Sequence, residues 1–427
     1  MSIFIIGSIL LLLALFGTPL FAIISSIALL AFHFADIDLT VVIIELYRLA
    51  SQPVLLAIPL FTFAGYLLAK SKAPTRLINF SHTWFGWMPG GLSIVSLLSC
   101  AVFTALTGAS GVTIIALGGL LYPILIKEDY PEKFSLGLLT TSGSLGLLFP
   151  PSLPIIVYGM ISGVSIDKLF LAGFLPGVLL IILLSMYSIY TVKGKKLKTT
   201  PFHWRAAFKA TREAAWELPL PVIILGGIYG GFITPTEAAA VTAFYVLIVE
   251  VFIYRDVNIR SDLPAIMRES MVLVGGILVI LGAALGMANY MIDAEIPMAI
   301  LDFIRQFVTS KVVFLITLNI FLLIVGAMMD IFSAILVVVP LIIPIAESYG
   351  INAIHLGIIF LTNLEIGYST PPVGINLFIS SFRFEKPVVK LYAASIPFLI
   401  ILMIALIIIT YVPELSLWMV DIFGTGR

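Results

Sequence analysis

Residues 141–151 read TSGSLGLLFPP and residues 362–372 read TNLEIGYSTPP. Each stretch sets a Thr, a Gly five positions on and a Pro pair inside an apolar run: Thr141, Gly146, Pro150 and Pro151 against Thr362, Gly367, Pro371 and Pro372. The interval between the copies is constant (371 − 150 = 221). Gly weakens a helix, and Pro removes an amide donor and clashes with the preceding turn. Gly followed by Pro-Pro therefore breaks a membrane-length helix near its middle. Two such breaks at corresponding places of two halves predict the binding region of a secondary transporter.

The composition sets the surroundings. The chain has 427 residues, of which 61% are hydrophobic and 11% charged, with a mean hydropathy of +1.17. A soluble fold does not bury that much apolar surface. Many segments reach the roughly 17–25 residues that cross a bilayer as a helix. The expected fold class is an all-α polytopic membrane protein, because a β-barrel would show weak alternating segments instead. The formal net charge is zero, which gives no electrostatic footprint for nucleic acid. A single cysteine, Cys100, excludes a disulfide within the chain and reads as a small buried hydrophobe. The four histidines show no metal spacing, and HExxH and paired catalytic acids are absent, so an enzyme is not expected. A passive channel is disfavoured by the repeat and by the lack of a charged ring.

Spans are expected at about 2–31, 52–70, 134–165, 171–192, 217–233, 238–254, 270–290, 352–382 and 391–411. Two further apolar stretches, about 91–126 and 312–345, are interrupted by Thr107-Gly108-Ala109-Ser110-Gly111 and by Gly326-Ala327-Met328-Met329-Asp330. Each reads as a re-entrant helical hairpin, with its irregular tip sheltered inside protein. Residues 36–50, 74–90, 257–271 and 293–311 read as short horizontal interface helices.

Orientation follows from Lys and Arg. The loop 193–212 carries Lys193, Lys195, Lys196, Lys198, Arg205, Lys209 and Arg212 without an acid, which places it in the cytoplasm. Alternation from there puts the N-terminus inside and the C-terminus outside. Under the 221-residue offset, 52–70 aligns with 270–290, hairpin with hairpin, Pro123 with Pro344 and Pro176 with Pro397. The aligned spans then run in opposite directions. The chain divides into a first inverted repeat with its cytoplasmic loop (1–212) and a connecting span with a second inverted repeat (213–427).

A broken helix frees carbonyls, which are hard ligands for Na⁺, and exposes helix N-termini, which favour anions. Two cation sites are expected. The first is built from Thr104, Thr107, Gly108 and Ser110 facing Ser142, Gly143, Gly146 and Pro150. The second is built from Gly326, Met328 and Asp330 facing Thr362, Glu365, Gly367 and Thr370. The substrate is expected between them, with Thr107, Ser144, Asn376 and Arg383 as its candidate ligands. Arg383 also reads as a positive-inside anchor, and Asp330 and Glu365 also as caps of freed backbone amides. In ITPTEAAA (233–240), Pro235 or Thr236 is expected to open a helix with Glu237 in its first turn.

GASG (108–111), LGLLFPPSLP (145–154), GGFITPTEAAA (230–240) and NLEIGYSTPPVGINLF (363–378) resemble the large membrane subunit of tripartite ATP-independent periplasmic (TRAP) transporters. The resemblance spans essentially the whole chain. It implies a two-repeat elevator fold in the bacterial inner membrane and uptake of an organic acid, such as a C4-dicarboxylate or sialic acid, driven by two or more Na⁺. It implies two partners, a small four-helix membrane subunit on a separate chain and a periplasmic substrate-binding protein. It marks Ser110, Gly111, Gly146, Pro150, Pro151, Gly367, Pro371 and Pro372 as tip and break residues. The alternative from another class of mechanism is a stand-alone ion-coupled carboxylate carrier or antiporter of the same superfamily.

Overall fold

The computed structural model describes residues 18–88, 90–193, 201–308 and 310–424, together with 8–10, 12, 13 and 16. The start of the first expected span and Lys195, Lys196 and Lys198 lie outside the described residues. The fold is helical, with one large apolar core and a small separate cluster of Leu171, Ala172, Ile358, Ile409 and Val420. Among the described residues eight helices are long and apolar enough to cross a bilayer, and a ninth span is a helix pair bent by 45° at its break.

The first half begins with α1 (Leu20–Phe34), α2 (Thr40–Ala50), α3 (Ala57–Lys70) and α4 (Ala73–Phe85). α5 (Gly91–Thr107) and α6 (Ser110–Lys127) follow, the latter carrying one π-helical turn at Ile114–Gly118. Next come α7 (Glu132–Ser142), the 3₁₀ turn Leu145–Leu148, α8 (Leu153–Ser162) and α9 (Ile166–Val192). The connection is α10 (Trp204–Glu213), α11 (Pro219–Tyr229) and α12 (Pro235–Ile253). The second half runs α13 (Leu263–Asp293), α14 (Ile296–Arg305), α15 (Lys311–Met328), α16 (Ile331–Ser348), α17 (Ala353–Gly367), α18 (Ile375–Phe384), α19 (Val388–Tyr411) and α20 (Glu414–Phe423).

The element order repeats at the sequence interval. Adding 221 to Ser110–Lys127 gives 331–348, the bounds of α16. Adding 221 to α8 gives 374–383, the ten residues of α18 displaced by one position. Packing repeats with it: α8 lies on α16 and α18 lies on α6, while α9 lies on α17 and α19 on α7. Each half thus packs the far part of its broken helix against the second helix of the other half's apolar pair.

Three local readings change. Residues 8–10, 12 and 13 are helical but Thr18 and Pro19 are not, so the expected continuous span 2–31 is interrupted before α1 starts at Leu20. Residues 257–271 form no separate interface helix. Asp262 accepts from Asn258 N–H, and from Leu263 on the chain is one 31-residue helix whose one Pro, Pro264, sits in the first turn, where no intrahelical amide bond is lost. The cap of α12 is Thr234, which shares a reciprocal capping box with Glu237, with Pro235 in the first turn. The helix at 40–50 and those at 73–85 and 296–305 occupy the expected interface segments.

Within a membrane, lipid tails are as apolar as a core, so close backbone approach and buried polar contacts carry helix association. One such contact anchors α4. Its Arg76 donates to Glu217, Glu250 and Asp256, and its guanidinium lies 3.7 Å from the centre of the Tyr254 ring. Burial alone would lower Arg76, but the hydrogen bond to Asp256 and the charges of Glu217 and Glu250 outweigh it and hold the guanidinium above its ordinary range. Cys100 is 1% exposed, as expected of a small core residue.

Candidate functional site

The four breaks meet at the centre of the fold. α5 ends at Thr107, and Gly108 takes a left-handed conformation (φ 68°) that a residue with Cβ adopts only with strain. α6 then starts at Ser110. In the second half α15 ends at Met328, Met329 and Asp330 are extended, and α16 starts at Ile331. The Pro150–Pro151 and Pro371–Pro372 bonds are both cis.

At the first break Thr104 joins the two walls. Its Oγ1 donates to the Gly143 carbonyl at 2.8 Å and lies 2.7 Å from Thr113 Oγ1. Ser142 and Ser144 are buried within the same turn. Gly146 packs on the backbone of α5, where a Cβ would come within 2.2 Å of the Ala101 carbonyl. Thr107 is fully buried and its hydroxyl has no hydrogen-bond partner. Pro150 stands on the other side of the turn, in an apolar groove of about 450 Å³ lined also by Leu98, Phe149, Phe174 and Pro221.

The second break repeats the approach with other side chains. A Cβ on Gly367 would come within 2.5 Å of the Gly326 carbonyl carbon, and one on Gly326 within 2.9 Å of Leu364 Cα. Asp330 caps α16: its Oδ1 accepts from Phe332 and Ser333 N–H, both at 3.0 Å, and Oδ2 accepts from the Ser333 hydroxyl. Thr362 donates to the Ile358 carbonyl at 2.7 Å, and Thr370, just past the end of α17, donates to the Ile366 carbonyl at 2.8 Å. Met328 is 62% exposed and turned away from the crossing. Glu365 is 1% exposed, and neither carboxylate oxygen has a partner.

Two contacts join the halves. Ser110 Oγ donates to Asn376 Oδ1 at 2.8 Å, which ties the start of α6 to the start of α18. Ser144 Oγ lies 3.4 Å from the Glu365 carbonyl. Ser144 and Glu365 are themselves separated by 221 residues, so two corresponding positions touch. That contact marks the line about which the halves correspond.

Arg383 stands apart from this centre. It is exposed at the end of α18, and its guanidinium lies over Gly119, where a Cβ would meet Nη2 at 1.7 Å. The structure thus brings Thr104, Thr107, Gly108, Ser110, Ser142, Gly143, Ser144, Gly146 and Asn376 together with Gly326, Asp330, Glu365 and Gly367. It leaves Arg383 and Met328 outside that group. Sequence reasoning missed Tyr368, whose hydroxyl accepts from Ile331 N–H and whose carbonyl accepts from Asn376 N–H at 3.0 Å. It also missed Thr113. Neither carries a signal of its own, since both partners lie across a break.

Buried polar atoms without a hydrogen-bond partner occur on Thr107, Asn363, Glu365, Ser369 and Asn376, and also on Thr140, Ser152, Ser380 and Ser395. Most of them are oxygens, the donor type that hard monovalent cations take. Among the described residues no group of three His, Cys, Asp or Glu forms a metal cluster, so these oxygens come from hydroxyls, amides, carbonyls and one carboxylate.

The profile of the family described as tripartite ATP-independent periplasmic transporter, DctM component, matches residues 5–415. The C4-dicarboxylate TRAP transporter large permease protein DctM of Pseudomonas aeruginosa is 40% identical over 375 residues, covering 88% of each chain. The ectoine TRAP transporter large permease protein TeaC of Halomonas elongata is 31% identical, covering 86% of each. In fold, the chain resembles the Alcanivorax borkumensis YdaH transporter, with a TM-score of 0.61 over 90% of this chain and 88% of that one, at 14% identity.

Proposed function

The chain belongs to the DctM component family of tripartite ATP-independent periplasmic transporters, and on that premise we propose that it carries a small organic acid into the cell by Na⁺ symport. The observation that carries the reading is the set of buried, unpartnered oxygens at two corresponding helix breaks. An unpartnered buried polar group costs about 1–3 kcal/mol, and a cation shared among several of them offsets that cost. Na⁺ at the Thr104–Gly146 break and at the Gly326–Gly367 break would order the two tips. The substrate carboxylate would then sit between Ser110, Ser144 and Asn376, against the N-termini of α6 and α18.

The two halves are inverted repeats in this reading, supported by the matching helix bounds and reciprocal packing. The helix pairs α5–α6 and α15–α16 act as hairpins that move with α7–α8 and α17–α18 as one body. That body slides against a scaffold containing α3, α12 and α13, which is an elevator. The chain sits in the bacterial inner membrane with its N-terminus cytoplasmic and its C-terminus periplasmic. It works with a small four-helix membrane subunit and a periplasmic binding protein. C4-dicarboxylates are the first substrates to test, because the 40%-identical relative carries that name. Ectoine in another relative's name and sialic acid within the wider family make the binding protein the expected selector.

Proteoliposomes containing this chain, its small subunit and its binding protein test the reading. Uptake of a labelled C4-dicarboxylate should need an inward Na⁺ gradient and the binding protein together. Uptake that survives replacement of Na⁺ by choline would overturn the symport. Uptake by this chain alone would favour the stand-alone carrier.

A further inference from the structure

Helix α10 takes no part in the helix breaks, and its surface is divided into three stripes. It packs on α4, and Ala207 and Ala210 are its buried positions. Trp204 and Phe208, one turn apart, are 71% and 72% exposed. Arg205, Lys209 and Arg212 are exposed as well. At about 100° per residue, the aromatic pair falls between the buried alanines and the arginines, and Arg212 stands one turn beyond Phe208. Lys209 pairs with Glu213 of its own helix at 3.8 Å. The arginines are the cations next to the rings.

The neighbours of α10 fix its place. The apolar span α9 ends at Val192, and α11 opens the next apolar helix at Pro219. α10 therefore lies between two membrane helices, on the side where one leaves the bilayer and the other enters it. The end of α9 also meets the turn after α4: a Cβ on Gly90 would lie 3.1 Å from Val192 Cγ2. So α4, α10 and the end of α9 share one level. An aromatic cluster sets the tilt of α10. Trp84 on α4 donates its indole N–H to Thr211 Oγ1 at 3.0 Å, and its ring stands edge-on to Trp204, with centroids 6.0 Å apart. Phe202 closes the cluster, 5.1 Å from Trp204 and 6.1 Å from Trp84. Trp204 is held from behind and still presents most of its surface outward.

Exposed rings beside guanidinium groups match a bilayer boundary. Rings rest there between headgroups and acyl chains, and guanidinium groups bind phosphate oxygens in pairs. The segment 193–212 carries seven Lys and Arg and no acid, so its complement is negative. We propose that α10 is a docking site for an anionic phospholipid: Trp204 and Phe208 enter the boundary between headgroups and acyl chains, and Arg205 and Arg212 hold the headgroup. Arg76 on α4 is bonded to Glu250 on α12, so the lipid contact bears on the scaffold and sets its depth in the membrane. The proposal goes beyond the symport reading and stands without it.

Quenching by brominated lipids tests it. The purified full chain is reconstituted in phosphatidylcholine nanodiscs containing increasing fractions of brominated phosphatidylglycerol, or the same fractions of brominated phosphatidylcholine, and tryptophan fluorescence is read. Wild type should be quenched more by the phosphatidylglycerol. Trp204→Phe should remove the larger part of that excess. Arg205→Gln combined with Arg212→Gln should raise the fraction of phosphatidylglycerol needed for half of the excess about fivefold for each charge removed, with quenching by brominated phosphatidylcholine unchanged. All three positions are exposed, so these variants should fold as wild type does. Equal quenching of wild type by the two lipids overturns the proposal, and so does an excess that survives the double arginine substitution. Loss of the excess on adding the small membrane subunit also overturns it, and assigns this face to that partner. None of these readouts involves Na⁺ or substrate, so failure here leaves the symport reading intact.

Discussion

Two acids lie in the apolar centre, and their surroundings give them different work. Asp330 is spent on the first turn of α16, accepting two amides and a hydroxyl. Asp330→Ala should cost about 0.5–2 kcal/mol as a lost cap, seen as a lower unfolding midpoint, and uptake should fall with it. Glu365 accepts nothing, so Glu365→Gln should leave the unfolding midpoint in choline close to wild type while weakening Na⁺-dependent uptake. Equal uptake by the two chains would remove Glu365 from the ion path. The glycines of the breaks answer to sterics. A Cβ at Gly146 or Gly367 meets fixed backbone rather than a movable side chain. Gly146→Ala and Gly367→Ala should each cost at least ~1–3 kcal/mol through overpacking, measurable as lost thermal stability of the purified protein.

At the level of elements, the interface helix α4 depends on one guanidinium shared among three carboxylates that are 0–7% exposed. Arg76→Leu strands those acids. The expected loss is about 3–5 kcal/mol, the usual result of breaking a buried ion pair from one side, read as a lower unfolding midpoint or failure to recover folded protein. Glu250→Gln in the same chain should recover part of it, because one stranded charge is removed. This cluster also shows where sequence reading stops. Gly, Pro and Thr at the breaks act on their own backbone, so the breaks at 108–110, 143–151, 326–330 and 367–374 were legible from residue type and spacing. Arg76 and its partners are 141–180 residues apart, and Asn363 finds Asn319 across 44. Nothing local to either residue announces the other. Arg383 shows the same limit: its charge was legible, but its packing over Gly119 on α6 was not. The capping role of Asp330 was legible as one of several readings, and the amide directions of α16 are what make it a cap.

For the molecule as a whole, the contact between Ser144 and Glu365 matters most. Corresponding residues touch where the halves meet, so a bulky side chain at that point faces both of them. Ser144→Trp should abolish uptake, and Na⁺ should still stabilise the chain wherever the ion positions are left whole. Loss of Na⁺ stabilisation together with uptake would mean that the central turn and the ion positions are one site. The reciprocal packing of α8 on α16 and α18 on α6 means that neither half completes its own centre. Half-chains expressed separately should therefore acquire Na⁺-dependent stabilisation only when mixed.

The lone thiol has a practical consequence. Cys100 is the chain's only cysteine and is sealed inside the core, so a bulky maleimide has nothing to react with on the native protein. A pair of cysteines placed on the exposed rims of α13 and α18 would carry spin labels or dyes without removing any native residue first. The proposed travel of α18 and its neighbours past α13 then becomes a distance that spectroscopy can test in an otherwise unaltered transporter.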